Sequence, residues 1–248
     1  MPIRAATIDF WNTLYDSANG PPRNEARRTV LREAIMAAGL ACPDDRFEAA
    51  YTGLWEYFDH HWLERQRTPT SHEMVLEILR RLELELPDDA VASVAGEFAR
   101  GVLDHPPGLL PGARDGVRYL KERGLYIALI SDTAFSPGSI LRELMERDGI
   151  ARYFDAYIFS DETGVAKPHP EAFRLALAGA GARPEEAFHV GDIERTDIRG
   201  ARAAGMKAVL YMGDEHPHKY VEETTEADAT MTHWSEIGTI VENLGVGS

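Results

Sequence analysis

Four polar stretches carry residues suited to chemistry. Asp9 closes an apolar run over residues 3–8 and is followed by Trp11, Asn12 and Thr13. Ser131, Asp132 and Thr133 follow a second apolar run, 125–130. Lys167 lies in Ala166-Lys167-Pro168, and Gly191-Asp192 ends a third run, 187–190, with Asp197 close behind. A carboxylate at the end of a buried strand sits at the carboxyl edge of a sheet, where open α/β folds keep their sites. There Asp9 suits nucleophilic attack on phosphorus or carbon. A Ser131 or Thr13 hydroxyl suits hydrogen bonding to a transferring oxygen. Lys167 is a point cation that offsets charge on nucleophile and substrate. Asn12 tolerates left-handed backbone, which fits a turn directly after a strand.

These groups meet only if their strands run parallel, and the chain after residue 112 is patterned that way. Helical spacing over 113–123, 139–148, 171–180 and 197–204 alternates with strand-length runs over 125–130, 156–159, 187–190 and 207–212. Strict alternation implies a parallel sheet with right-handed crossovers, and the run ending at Asp9 must join it. A closing helix is expected over 235–244. Residues 17–105 read as helical throughout. The spacing predicts a helix over 24–39, with Val30, Leu31, Ile35 and Met36 on one apolar face and Gly39 at its end. A second helix is expected from Asp44 or Asp45 to Trp62, a third over 71–84, and a fourth from Pro87 to about Leu103. His105-Pro106-Pro107-Gly108 marks a boundary. The expected organisation is a core of residues 1–16 and 107–248 interrupted by a helical domain, 17–106.

Composition narrows the class of partner. The net charge of −15, from 26 basic and 41 acidic residues, argues against nucleic acid or an anionic membrane surface. Cys42 is the single cysteine, so no internal disulfide or cysteine-built metal site is possible. No apolar run approaches the roughly 20 residues that span a bilayer. The chain enters a strand directly, with no signal-peptide pattern, so a cytoplasmic protein is expected, as monomer or homodimer.

Taken together, the Asp9 stretch, the helical insertion, Ile130-Ser131-Asp132, Ala166-Lys167-Pro168 and Gly191-Asp192 followed by Asp197 resemble the haloacid dehalogenase superfamily of hydrolases. The resemblance covers the whole chain. It implies a Rossmann-like, doubly wound parallel α/β core with an all-helical cap domain over the site. It implies a covalent intermediate on Asp9, with Thr13, Ser131 and Lys167 as further catalytic residues. Mg²⁺ is the implied cofactor, held by Asp9, Asp192 and the main-chain carbonyl of Trp11. Asp197 would hold Lys167 or a metal-bound water. Trp11, Asn12, Asp132 and Thr133 are expected around a small, phosphorylated substrate.

One position departs from the pattern. Phosphatases that this chain resembles carry a second aspartate two positions after the nucleophile, which protonates the leaving oxygen. Here that position is Trp11, whose indole cannot serve as the acid. General acid–base help is worth about 10²–10⁴-fold. Three readings follow. Phosphoryl hydrolysis could proceed with a weak or relocated acid, from His60, His61, His72 or Tyr15. Dehalogenase-like attack at carbon needs no acid, and an arginine near the start of the insertion, Arg23, Arg27 or Arg28, could bind a substrate carboxylate. Dehalogenases, however, need no metal and have serine and asparagine where this chain keeps Gly191-Asp192. Finally, Trp11 could close the pocket and leave a binding or regulatory protein. Phosphonoacetaldehyde hydrolases are excluded, because they use a cap lysine and no lysine precedes Lys121.

Overall fold

The apolar runs become the strands of one sheet. The computed structural model describes residues 2–214 and 222–245. Its strands are β1 Ala5–Ile8, β2 Tyr126–Ser131, β3 Ala156–Phe159, β4 Ala187–Gly191, β5 Lys207–Tyr211 and β6 Ala229–Met231. They lie in the order β3-β2-β1-β4-β5-β6, and every neighbouring pair is parallel. Ile8 stands opposite Leu129 on one side and Val190 on the other. Asp9 therefore emerges at the carboxyl edge beside the ends of β2 and β4. The chain runs outward from β1 to β3 and then returns to β4 across β1. The strand order thus reverses between β1 and β4, which opens a crevice at that edge.

Helices α1 Gly20–Ala37, α2 Asp44–Thr52, α3 Leu54–Asp59, α4 Ser71–Leu82 and α5 Asp88–Asp104 all fall between β1 and β2. They share a hydrophobic cluster of their own, including Leu31, Phe47, Met74, Ile78 and Phe98, which Phe135 and Ala166 join from below. The two connections to the insertion run side by side. Asp16 N donates to the Gly108 carbonyl at 2.9 Å, and the Asp16 carboxylate accepts from Gly108 N at 3.0 Å. A capping box starts α4: Thr70 Oγ1 accepts from Glu73 N at 3.2 Å, and the Glu73 carboxylate accepts from Thr70 N at 2.8 Å. Such a cap stabilises a helix by about 1 kcal/mol.

The remaining helices, α6 Ala113–Glu122, α7 Gly138–Arg147, α8 Ser160–Thr163, α9 Pro170–Leu177, α10 Arg199–Ala203 and α11 Ile237–Leu244, cover the sheet. Strand alternation sorts them. Ile127 and Leu129 pack with α6, α7 and α11 on one face, while Ala128 and Ile130 pack with α9 and α10 on the other. Small residues (Ala5, Ala172, Ala176, Ala201) bring α9 and α10 close to the sheet.

Several expectations need correction. Helix α1 starts at Gly20, because Pro21 and Pro22 fill a first turn whose N–H groups need no partner. Met36 is 65% exposed rather than on the buried face, which Leu31 and Ile35 carry. The second insertion helix breaks at Gly53 and ends in a π-type turn, His60–Glu64. β6 was not expected, since Ala-Thr-Met is too short and mixed to stand out.

Candidate active site

Lys167 is the hub of the edge. Its side chain is 2% exposed, and its ammonium donates to the carboxylates of Asp9 and Asp197, the latter at 2.6 Å. Burial would lower the Lys167 pKa, but Asp197, Asp9 and Asp132 raise it further, so the ammonium stays charged. Asp197 is held from several sides. It accepts from Ile193 N at 3.0 Å and Thr196 Oγ1 at 3.2 Å, and it meets His189 Nε2 at 3.0 Å. Burial raises the Asp197 carboxyl, but Lys167 and His189 overcome this and hold it well below the usual range. Behind it, His189 Nδ1 meets Thr7 Oγ1 at 2.8 Å, which completes a buried chain from strand β1 to the hub. A methyl group on Gly191 would lie 2.4 Å from Asp197 Cγ, so this close approach requires glycine.

The second carboxylate, Asp192, ends β4 across the crevice. Asn12 Nδ2 donates to it at 3.2 Å, and Asn12 adopts φ 53° in the turn after Asp9. Burial raises the pKa of Asp192 strongly, and the Asp9 and Asp197 charges add to this. Burial likewise pushes Asp9 up to about 7 against the opposing pull of Lys167. Buried Asp9 and part-buried Asp192 thus line one cavity with Lys167, whose ammonium contacts Asp9 and Asp197. Among the described residues no three His, Cys, Asp or Glu side chains form a closed metal cage. The carboxylates of Asp9 and Asp192, both lining one cavity, are hard oxygen donors of the kind that Mg²⁺ takes while keeping several waters. Thr13 and Ser131 are fully buried, and neither hydroxyl has a hydrogen-bond partner among the described residues. Buried hydroxyls are normally paired, but neither residue lines the cavity above the edge. Thr133 is instead occupied by the protein: its hydroxyl donates to Asp161 at 3.0 Å and its N–H to Ser160 Oγ at 2.8 Å. The structure does not bring it to the cavity.

Above the edge lies a cavity of about 330 Å³. Asp9, Asn12, Asp132, Lys167, Asp192 and Asp197 contribute its polar floor, and α1 and the α3 region contribute its roof. Trp11 lines the wall rather than filling the space beside Asp9. Asp132 accepts the Trp62 indole N–H at 2.8 Å and Lys167 N at 3.0 Å, so it ties the insertion to the core. Burial pushes it up to about 6. None of the four relocated-acid candidates lines the cavity. His60 pairs with Glu64 at 2.9 Å, His61 meets the Tyr57 carbonyl, His72 is exposed, and Tyr15 is stacked on Phe10 in the core. Arg23 and Arg27 are buried on the roof, not on the helix surface where such residues ordinarily sit, whereas Arg28 pairs outward with Glu48.

Residues 3–205 match the family model of the haloacid dehalogenase-like hydrolases. The chain belongs to that family. Across 236 residues it is 31% identical to the ribulose-1,5-bisphosphate 5-phosphatase of Halopiger xanaduensis, covering 92% of this chain and 91% of the relative. It is also 31% identical over 242 residues to the glyceraldehyde 3-phosphate phosphatase of Pyrococcus furiosus, covering 97% and 93%. The fold resembles that of a 2-haloacid dehalogenase from Pseudomonas syringae, with a TM-score of 0.67 at 21% identity and coverage of 97% and 99%. That last likeness speaks to fold alone. As a haloacid dehalogenase-like hydrolase, the chain is an enzyme, and the open wall at Trp11 accords with this.

Sequence reasoning missed His189, Thr7 and Trp62 as a partner of Asp132; it named Arg23 and Arg27, with Arg28, as candidate binders of a carboxylate but not their burial over the edge. His189 sits inside an apolar strand, where a lone histidine carries no distinguishing pattern. Arg23 and Arg27 are four apart and so share a face, but nothing in the sequence says which face is covered.

Proposed function

We propose that this hydrolase is a Mg²⁺-dependent phosphohydrolase acting on a small phosphorylated metabolite through an aspartyl-phosphate on Asp9. The observation that carries this reading is that Asp9 and Asp192 line one cavity with Lys167, whose ammonium contacts Asp9. The likeness to two named phosphatases over most of their length supports it. Asp9, Asp192 and the main-chain carbonyl of Trp11 would hold a divalent cation, which would supply positive charge to offset that of the phosphoryl group. Asp9 attacks phosphorus as the bond to the leaving oxygen breaks. Lys167, held by Asp197, stays charged and offsets the charge that develops. Thr13 and Ser131 donate their unpaired hydroxyls to phosphoryl oxygens. The leaving oxygen takes its proton from water, because Trp11 has none to give. Water then attacks the aspartyl-phosphate, releasing phosphate and restoring Asp9. The helical insertion acts as the cap, excluding bulk water above the edge. A cytoplasmic setting belongs to the same reading.

Attack at carbon is the second reading, and Trp11 favours it, since halide leaves without a proton. Asp192 weighs against it, because that chemistry needs no metal. The two are separated by rapid quenching during turnover of an aryl phosphate with Mg²⁺. A phosphate recovered on the Asp9 peptide is the expected result. An unlabelled Asp9 during steady turnover, or halide release from an α-halo acid that persists in chelator, would overturn the proposal.

A further inference from the structure

The two inward arginines of α1 are unlike the charges around them. Arg23 and Arg27 are 7% and 6% exposed, and both line the cavity that holds Asp9 and Lys167. Arg28 and Arg32, on the outward face of the same helix, pair with Glu48 and Asp44 at 3.1 and 2.6 Å. Among the described residues, neither Arg23 nor Arg27 meets a carboxylate. Neutral acceptors orient them instead. Arg23 Nη1 donates to the His105 carbonyl at 2.8 Å, and its guanidinium lies 5.6 Å from the Trp11 ring centre. Arg27 Nε donates to the Phe98 carbonyl at 3.0 Å, Nη1 donates to Asn24 Oδ1 at 3.2 Å, and the head stacks 4.3 Å from the Phe135 ring centre. Asp16 is the acid whose field reaches Arg23, but its carboxylate is already committed to the N–H groups of Ala18 and Gly108. Burial lowers the pKa of Arg27 to about 10, and the Arg23 charge adds to that effect.

Two like charges buried together without a counter-ion are unfavourable unless a ligand supplies one. The guanidinium fork matches the geometry of carboxylate and phosphate. We propose that Arg23 and Arg27 form a second anion subsite, so that the substrate carries a carboxylate or second phosphate in addition to the transferred phosphoryl group. This rests on the phosphohydrolase reading. Trp11 and Phe135 lie beneath the guanidinium heads, and Phe58 lines the same cavity. Trp11 then has a positive role: its ring faces Arg23 by cation–π contact at the position where an acid would otherwise stand.

The test uses the full chain with Mg²⁺ and esters of matched length: ethyl phosphate, phosphoglycolate and ethylene glycol bisphosphate, with an aryl phosphate as control. The expected result is a kcat/KM for one or both charged esters about 10- to 100-fold above that for ethyl phosphate. The preferred ester identifies the source of the second charge. Arg27→Gln and Arg23→Gln should each collapse that preference severalfold or more. The wild-type comparison needs no folded variant. Equal kcat/KM for charged and uncharged esters, with the aryl phosphate hydrolysed, would overturn the subsite and leave the phosphohydrolase reading standing. No phosphate from any ester would overturn both.

Discussion

At the scale of single residues, the site is a chain of buried charges in which each neighbour fixes the next. His189 shows the logic. Its neutral form, with the proton on Nε2, donates to Asp197 and accepts from Thr7 Oγ1, so both ring nitrogens are satisfied. Burial lowers its pKa below the ordinary value, against the pull of Asp197. The unfolded chain therefore binds a proton that the folded chain resists. The stability contributed is fully present above about pH 6.5 and is lost as pH falls through the lower, folded value. Denaturant titrations should show stability falling below pH 6.5, by at most about 1.4 kcal/mol per pH unit from this group. His189→Gln should flatten that slope; an unchanged slope would assign the effect elsewhere. Trp11 sets the second residue-scale expectation. Trp11→Asp should restore a proton donor and raise kcat for alkyl phosphates relative to aryl phosphates, by up to about 10²–10⁴-fold. No relative gain would mean that protonation of the leaving group does not limit the rate.

At the scale of elements, the carboxyl edge positions the chemistry and the insertion closes over it. The links between them include Trp62 to Asp132, Arg195 Nη2 to the Leu63 carbonyl at 3.0 Å, Ala166 N to the Gln66 carbonyl at 2.7 Å, Thr68 Oγ1 with Ser160 Oγ, and the packing of Phe135 against Trp55 and Phe98. Trp62→Phe keeps the apolar ring but removes a donor to the part-buried Asp132 carboxylate. It should cost about 1–3 kcal/mol of stability in urea denaturation. A variant as stable as the parent would show that the insertion docks without this bond. The strands and their polar ends were legible because period-2 and run-length patterns state burial directly, as in residues 125–130. The break at Gly53 and the π-type turn at His60–Glu64 were not, since the aromatic spacing from Tyr51 to Trp62 continues across both. β6 depends on pairing with β5, a tertiary contact that three residues cannot encode alone.

At the scale of the molecule, an acidic protein brings cations and carboxylates together in one cavity. The net charge is −15, and Lys167, Arg23 and Arg27 line one cavity together with the carboxylates of Asp9, Asp132, Asp192 and Asp197. The polar strand ends converged because topology fixes them: β1 and β4 flank the reversal of strand order, so Asp9 and Asp192 had to meet. The arginines were opaque because their burial depends on how α1 lies over the edge, a placement that α1's weakly patterned sequence does not specify. The most direct test of the central claim is phosphate release from an aryl phosphate, with Mg²⁺ and after chelation, by the parent and by Asp9→Asn. Release that requires Mg²⁺ and disappears in a folded Asp9→Asn variant is the predicted result. Release that survives either chelation or the loss of Asp9 would contradict the account.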